Sequence, residues 1–198
     1  MSPVGVKTKI SSAKRLSLKS SMKSSAFVSG LSSSSRILWI HSSSADSAAR
    51  PLPRLARVWN GAVEGLNIDR LKADTEVVFL ALPEKAAAEV APPLLAAGVK
   101  VIDLSGAFRI RDDADRAKWY PATPSLPAGT AYGLVEYFAD EIRTASLVAC
   151  PGCYPTAALL ALLPLVKAGL VDPSAGLVID AKSGISGAGR AATDRTHF

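Results

Sequence analysis

The stretch Glu76-Val77-Val78-Phe79-Leu80-Ala81-Leu82, closed by Pro83, decides the fold class of this chain. From Val77 its β-branched, aromatic and aliphatic side chains run without polar interruption, the pattern of a strand in a parallel sheet covered on both faces. Downstream, Glu84 to Ala97 has helix-forming composition. Pro92 and Pro93 should kink or restart that helix, because neither offers the backbone donor that a helix interior uses. Gly98 closes it. Val99 to Leu104 and Ser146 to Ala149 are two more short apolar runs that suit the same sheet. Strands alternating with helices imply an α/β domain with parallel crossovers. Further on, Pro155 opens a strongly apolar helical run, Ala157 to Leu163, which Gly169 caps. So apolar a helix is expected to be buried, and Leu177 to Ile179 is expected to form a further strand.

Composition narrows the function classes. A chain of 198 residues with 48% hydrophobic content can bury one good core, so one domain, or one and a half incomplete ones, is expected. The net charge of +6 is unevenly spread: residues 1–45 hold seven Lys or Arg and no acid, whereas the other 153 hold 16 basic and 17 acidic side chains. A near-neutral body offers no basic stripe for phosphates, and no aromatic residues interleave with the leader's lysines, which argues against nucleic-acid binding. No apolar run approaches the length that spans a bilayer, so no membrane partner is expected. Residues 1–45, rich in Ser and free of acid, are expected to be a disordered leader. They have the composition of an organellar transit peptide, or of a shifted gene start that replaced a genuine first strand and helix. Cytoplasmic localisation is expected, with plastid or mitochondrion as the alternative if the leader is a transit peptide.

The chemistry points to Ala149-Cys150-Pro151-Gly152-Cys153-Tyr154-Pro155-Thr156. A cysteine attacks carbonyls as its thiolate, and a helix N-terminus favours that anion through unpaired amides and the positive end of the dipole. Cys153 stands two residues before Pro155, at the start of the apolar helix; the same amides could hold a developing oxyanion. Three other readings of the pair remain open here. Cys150-Pro151-Gly152-Cys153 is formally a C-x-x-C, a redox pair or half of a zinc site, and a lone cysteine is commonly an inert core residue. Zinc is disfavoured, because the only histidines, His41 and His197, lack ligand spacing.

Several further runs stand in a telling order: Phe79-Leu80-Ala81-Leu82-Pro83, Val101-Ile102-Asp103-Leu104-Ser105, Phe108-Arg109, Trp119-Tyr120, Tyr132-Gly133-Leu134, the cysteine motif, and Asp180-Ala181-Lys182-Ser183-Gly184-Ile185-Ser186-Gly187-Ala188-Gly189. With them the chain from about Leu52 onward resembles the N-acetyl-gamma-glutamyl-phosphate reductases, NADPH-dependent enzymes of arginine biosynthesis. The resemblance implies an incomplete Rossmann-like parallel-sheet domain, residues 46–150, followed by the start of an α+β catalytic and dimerisation domain, residues 151–198. It implies that Cys153 captures a small acyl phosphate as a thioester, which hydride from NADP(H) reduces to the semialdehyde. Ser183, Gly184, Ser186 and Gly187 would then lie in the cofactor loop, and Arg109 and Arg190 would pair with phosphate or carboxylate oxygens. The intact family protein is expected to be a homo-oligomer.

The sequence also departs from the family pattern. Nothing in it supplies the G-x-x-G-x-x-G turn that seats a pyrophosphate, since Gly5 and Gly30 stand too far apart in the leader. The family's catalytic histidine, in a Gly-His-Arg-His-like run, is absent, and His197 matches a different place. The chain is therefore expected to be truncated at both ends relative to the family. Cys150 stands where many relatives carry Asn. Two alternatives stay beside the reductase reading: a catalytically dead fragment or gene-model artefact, and a related acyl-phosphate reductase such as aspartate-semialdehyde dehydrogenase. Missing packing partners imply exposed apolar surface and low stability.

Overall fold

A computed structural model describes residues 27–31, 37–42, 63–182 and 184 of the chain. Its centre is a seven-stranded sheet in the order β3-β2-β1-β4-β5-β7-β6. The strands are β1 (Phe27–Leu31), β2 (Ile37–Ser42), β3 (Glu64–Gly65), β4 (Val77–Ala81), β5 (Lys100–Asp103), β6 (Thr130–Tyr132) and β7 (Leu147–Ala149). β4, β5, β7 and β6 are mutually parallel, with Val78 opposite Val101, Ile102 opposite Val148, and Ala131 opposite Val148. β1 alone runs against its neighbours, β2 and β4. The short segment between β1 and β2 accounts for their antiparallel pairing, because a parallel crossover needs a dozen or more residues whereas an antiparallel return needs few.

These two strands correct one expectation. Composition makes 1–45 a leader, whereas residues 27–31 and 37–42 pair in the sheet. The apolar groups Phe27-Val28 and Ile37-Leu38-Trp39-Ile40 are short, set among serines, and too brief for periodicity to separate them from a polar tail. Residues 1–26 lie outside the described residues.

Among the described residues the α-helices are α1 (Ile68–Asp74), α2 (Glu84–Ala96), α3 (Asp113–Trp119), α4 (Val135–Thr144) and α5 (Cys153–Lys167). α1 and α3 begin at side-chain caps, where Asn67 Oδ1 accepts from the Arg70 amide (2.9 Å) and Asp112 Oδ1 from the Asp115 amide (2.8 Å). α2 runs unbroken through Pro92 and Pro93 rather than restarting. Pro92 is exposed, as is Glu89, one of the two residues whose carbonyls the prolines leave without a donor, so water can serve them. Gly98 ends the helix as expected, with φ of 81° and its amide bonded to Leu95 O.

The core lies on one face of the sheet. Val78, Leu80, Val101 and Leu147 are fully buried and cluster with Leu71 of α1 and Ala87, Ala91 and Leu94 of α2. Val77, Phe79 and Ala81, on the opposite face of β4, are only partly buried. Beyond β5, Arg116 is buried at 1% exposure and ties down the loop around α3. It donates to the carbonyls of Thr123 (3.1 Å), Ile110 (3.0 Å) and Arg111 (3.0 Å) and pairs with Asp113.

Past β7 two further expectations fail. α5 forms and is capped by Gly169 at φ of 68°, but none of its residues is fully buried. Leu177 to Ile179 is not a strand: no neighbour pairs with it among the described residues, and Val178 is 97% exposed. A strand without a partner leaves its backbone groups to water, so an apolar sequence alone does not make one.

Candidate active site

The parallel strands β4, β5, β7 and β6 all end on one edge of the sheet. Open α/β sheets bind ligands outside the carboxyl ends of their strands, where loops converge and helix N-termini point inward. On this edge lie the turn 104–109 after β5, the turn at Gly133 after β6, and Cys150-Pro151-Gly152 after β7.

Cys153 is the first residue of α5 and is exposed. Gly152 occupies the N-cap in an extended conformation, and no side chain caps the helix. The Thr156 amide and hydroxyl both donate to the Gly152 carbonyl, at 3.0 and 2.8 Å. Pro155 has no N–H, so the amides of Cys153 and Tyr154 are the ones the helix leaves without an intrahelical acceptor. Exposed Cys153 and these amides therefore share the first turn of α5, where a tetrahedral oxyanion could be held.

The turn preceding the cysteine is held on both backbone groups of Cys150. Its amide donates to the Asp103 carbonyl (2.8 Å), and its carbonyl accepts from Arg109 Nε (2.7 Å). Arg109 Nη2 also donates to the Leu104 carbonyl (3.0 Å), and Nη1 lies beside Gly152, 3.3 Å from where a Cβ would stand. Gly133 approaches from β6: a Cβ there would sit 3.0 Å from Cys150 Cα and 3.1 Å from Val148 Cγ1, so any larger residue would push the Cys150 turn by a few tenths of an ångström.

Beneath this turn, Asp103 is fully buried at 0% exposure. Its carboxylate accepts from the Ser105 amide (3.0 Å) and hydroxyl (2.8 Å), and Ser105 Oγ accepts from the Ala107 amide (3.1 Å). Burial pushes the Asp103 carboxyl above the usual carboxylate range; the Ser105 bonds and Arg109 oppose this, and Glu84 adds to it. Burial first, then the Asp103 charge, push the Cys150 thiol up, with Arg109 opposing. Burial likewise raises Tyr132, which also feels Arg109 and Tyr120. The two cysteines thus differ: Cys150 is half-buried beside a carboxylate, whereas Cys153 opens a helix in solvent.

Of the residues singled out from sequence, Cys153 and Arg109 are brought to one turn. Ser183, Ser186, Gly187, Arg190 and His197 lie outside the described residues, and Gly184 is exposed. Asp103 and Ser105 carried no functional reading of their own, although Asp-x-Ser at the end of a strand is a recognisable turn signal. Among the described residues no cluster of His, Cys, Asp and Glu could hold a metal ion, and no helix is long and apolar enough to cross a membrane.

Comparison with known proteins fits this geometry. The family pattern described as semialdehyde dehydrogenase, NAD binding domain, matches residues 23–145, and that described as semialdehyde dehydrogenase, dimerisation domain, matches residues 153–198. The second match begins at Cys153. An N-acetyl-gamma-glutamyl-phosphate reductase of Bacillus cereus is 44% identical over 149 residues, which cover 74% of this chain and 43% of the relative. One of Shouchella clausii is 43% identical over 166 residues, covering 82% and 48%. The chain therefore spans about half the length of the curated relatives it matches. Among solved structures, aspartate semialdehyde dehydrogenase II of Vibrio cholerae aligns with 63% of this chain and 36% of its own, at 22% identity and a TM-score of 0.44. The chain belongs to the semialdehyde dehydrogenase family.

Proposed function

We propose that this chain carries the nucleophile and part of the nucleotide-binding domain of an NADP(H)-dependent N-acetyl-gamma-glutamyl-phosphate reductase acting in arginine biosynthesis. One observation carries the proposal: Cys153 stands exposed at the first position of α5, on the carboxyl edge of a parallel sheet, in a turn fixed at both backbone groups of Cys150. The identity of 44% with the Bacillus reductase supports the choice of acyl phosphate.

In this reading Cys153 Sγ forms a bond to the acyl carbon of N-acetyl-glutamyl 5-phosphate as the bond from that carbon to the phosphate oxygen breaks. Inorganic phosphate leaves and the acyl group stays as a thioester, which splits one hard reduction into two easier steps. The amides of Cys153 and Tyr154 hold the carbonyl oxygen while it carries negative charge. Arg109 Nη1, the nitrogen its backbone bonds leave over, would pair with the departing phosphate, a role proposed also for Arg190, which lies outside the described residues. The strand edge suits a nicotinamide nucleotide, and Ser183, Gly184, Ser186 and Gly187 would hold it close to the thioester through backbone amides. A nicotinamide held there would supply the hydride that reduces the thioester carbon, and Cys153 Sγ would take back the electron pair of the carbon–sulfur bond as the semialdehyde leaves.

Residues 153–198 are proposed to join a homo-oligomer contact, in keeping with the dimerisation pattern they match and with exposed Leu165, Leu170 and Val178. The site of action is proposed to be the cytoplasm, or a plastid or mitochondrion if the basic Ser-rich leader directs import.

The test is acylation. The full chain is mixed with N-acetyl-glutamyl 5-phosphate, quenched in acid, digested and mapped by mass spectrometry. One N-acetylglutamyl group is expected on the peptide holding Cys153 and none in Cys153→Ser. Acyl groups on Cys150 instead, or none with intact substrate, would refute the assignment.

A further inference from the structure

We infer that Asp103 is a positioning residue for Cys153, acting through Ser105 and Arg109 on the backbone of Cys150. This rests on the reading of Cys153 as the nucleophile and deepens it.

The path is continuous. The Asp103 carboxylate, fully buried, accepts both the amide and the hydroxyl of Ser105, and that hydroxyl oxygen in turn accepts the Ala107 amide. Three bonds thus fix the shape of residues 103–107. The turn continues into Arg109, whose own amide donates to Gly106 O at 3.3 Å. From there the Arg109 guanidinium spans to the Cys150 carbonyl at 2.7 Å, while the backbone carbonyl of Asp103 itself receives the Cys150 amide at 2.8 Å. One residue therefore sets both anchors of Cys150. Only Pro151 and Gly152 separate Cys150 from Cys153, and Pro151 is stiff, so an error in the anchor passes into the direction of the first turn of α5.

A buried carboxylate costs stability unless its bonds are complete. Asparagine at position 103 would still accept from the Ser105 amide without burying a charge, so stability alone does not explain the carboxylate. The groups facing it are Arg109 from the turn, Glu84 from the start of α2, Ser105, and the Cys150 thiol after β7.

The test compares Asp103→Asn and Ser105→Ala with the unaltered full chain. Alkylation by iodoacetamide is timed at both cysteines, by peptide mapping, across pH 6 to 10. Asp103→Asn is expected to slow Cys153 roughly fivefold at neutral pH, the worth of one ordinary hydrogen bond. The same change is expected to move the Cys150 profile to lower pH, because the carboxylate that opposes its ionisation is gone. Ser105→Ala, a milder change, should slow Cys153 in the same direction while leaving the Cys150 profile in place. A slower Cys153 beside a Cys150 that is not slowed is what positioning requires; simple loosening of the fold would speed both. Equal speeding at both sites, or an unchanged Cys153 rate in both variants, overturns the inference. Equal rates at the two cysteines of the unaltered chain would instead remove the nucleophile reading on which it rests.

Discussion

Arg109→Ala removes two hydrogen bonds that share one guanidinium. Nε to the Cys150 carbonyl, 2.7 Å, is partly buried, and Nη2 to the Leu104 carbonyl, 3.0 Å, is exposed. A hydrogen bond to a charged group contributes about 1.5–3 kcal/mol where water is kept away, and about 0.5 kcal/mol is reasonable for the exposed one. The Cys150 carbonyl then depends on whatever water reaches it, so the total is on the order of 2–3 kcal/mol. With a urea slope of about 2 kcal/mol/M, the unfolding midpoint should fall by roughly 1 M. The loss also has a local signature, because the bonds hold a turn rather than the core. Amide hydrogen exchange at Cys150 and Gly133, whose amides bond to Asp103 O and Ala149 O, should accelerate more than exchange in β4. Arg109→Lys keeps the charge without the planar fork and should recover less than half of the midpoint shift. A midpoint within about 0.2 M of the unaltered chain, with exchange at Cys150 unchanged, would refute the claim that Arg109 holds this turn.

Arg116→Met should cost about 3 kcal/mol, because the carbonyls of Thr123, Ile110 and Arg111 lose their common donor inside a buried site; urea unfolding measures it. Gly133→Ala should cost about 1–3 kcal/mol through backbone contact with Cys150 and should lower the yield of folded chain. Asp103 gives a pH dependence. Its carboxyl titrates above its unfolded value, so the folded form binds the proton more tightly, and protonation favours folding. This stabilisation is fully present below the unfolded value of 3.8 and is lost as pH rises through the folded value. The stability of the unaltered chain relative to Asp103→Asn should therefore improve as pH is lowered from 7 toward 4, and a constant difference would contradict the shift. Finally, exposed Leu160, Leu165, Leu170, Leu177, Val178 and Ile179 should make the isolated chain bind hydrophobic dyes and aggregate, whereas a cooperative melt with a high midpoint would contradict this.

What the sequence made legible is tied to length and punctuation. β4, β5 and β7 are apolar runs bounded by breakers, and α2 and α5 end at Gly98 and Gly169, both with positive φ, so each had a local cause. β3 and β6 have two and three residues, too few for any periodicity, and their existence depends on a neighbour to pair with. α1 and α3 were missed although Asn67 and Asp112 announce them, since seven residues give little amphipathic pattern. Leu177 to Ile179 shows the reverse failure, an apolar run with strand composition and no partner among the described residues. At the site, Cys153 was legible because its chemistry is written in a short motif. Asp103 and Ser105 were not, because their role depends on bringing residue 109 to residue 150 across the sheet, a contact that no local pattern encodes.

The most direct test is competition labelling of the unaltered full chain. Iodoacetamide at less than one equivalent is allowed to react to completion at neutral pH, and the label on each cysteine is quantified from fragment ions of the single peptide that holds both. Label is expected almost entirely on Cys153, since burial and the Asp103 charge hold the Cys150 thiol back while Cys153 opens the helix in solvent. Equal label on the two, or a preference for Cys150, would contradict the assignment of Cys153 as the nucleophile.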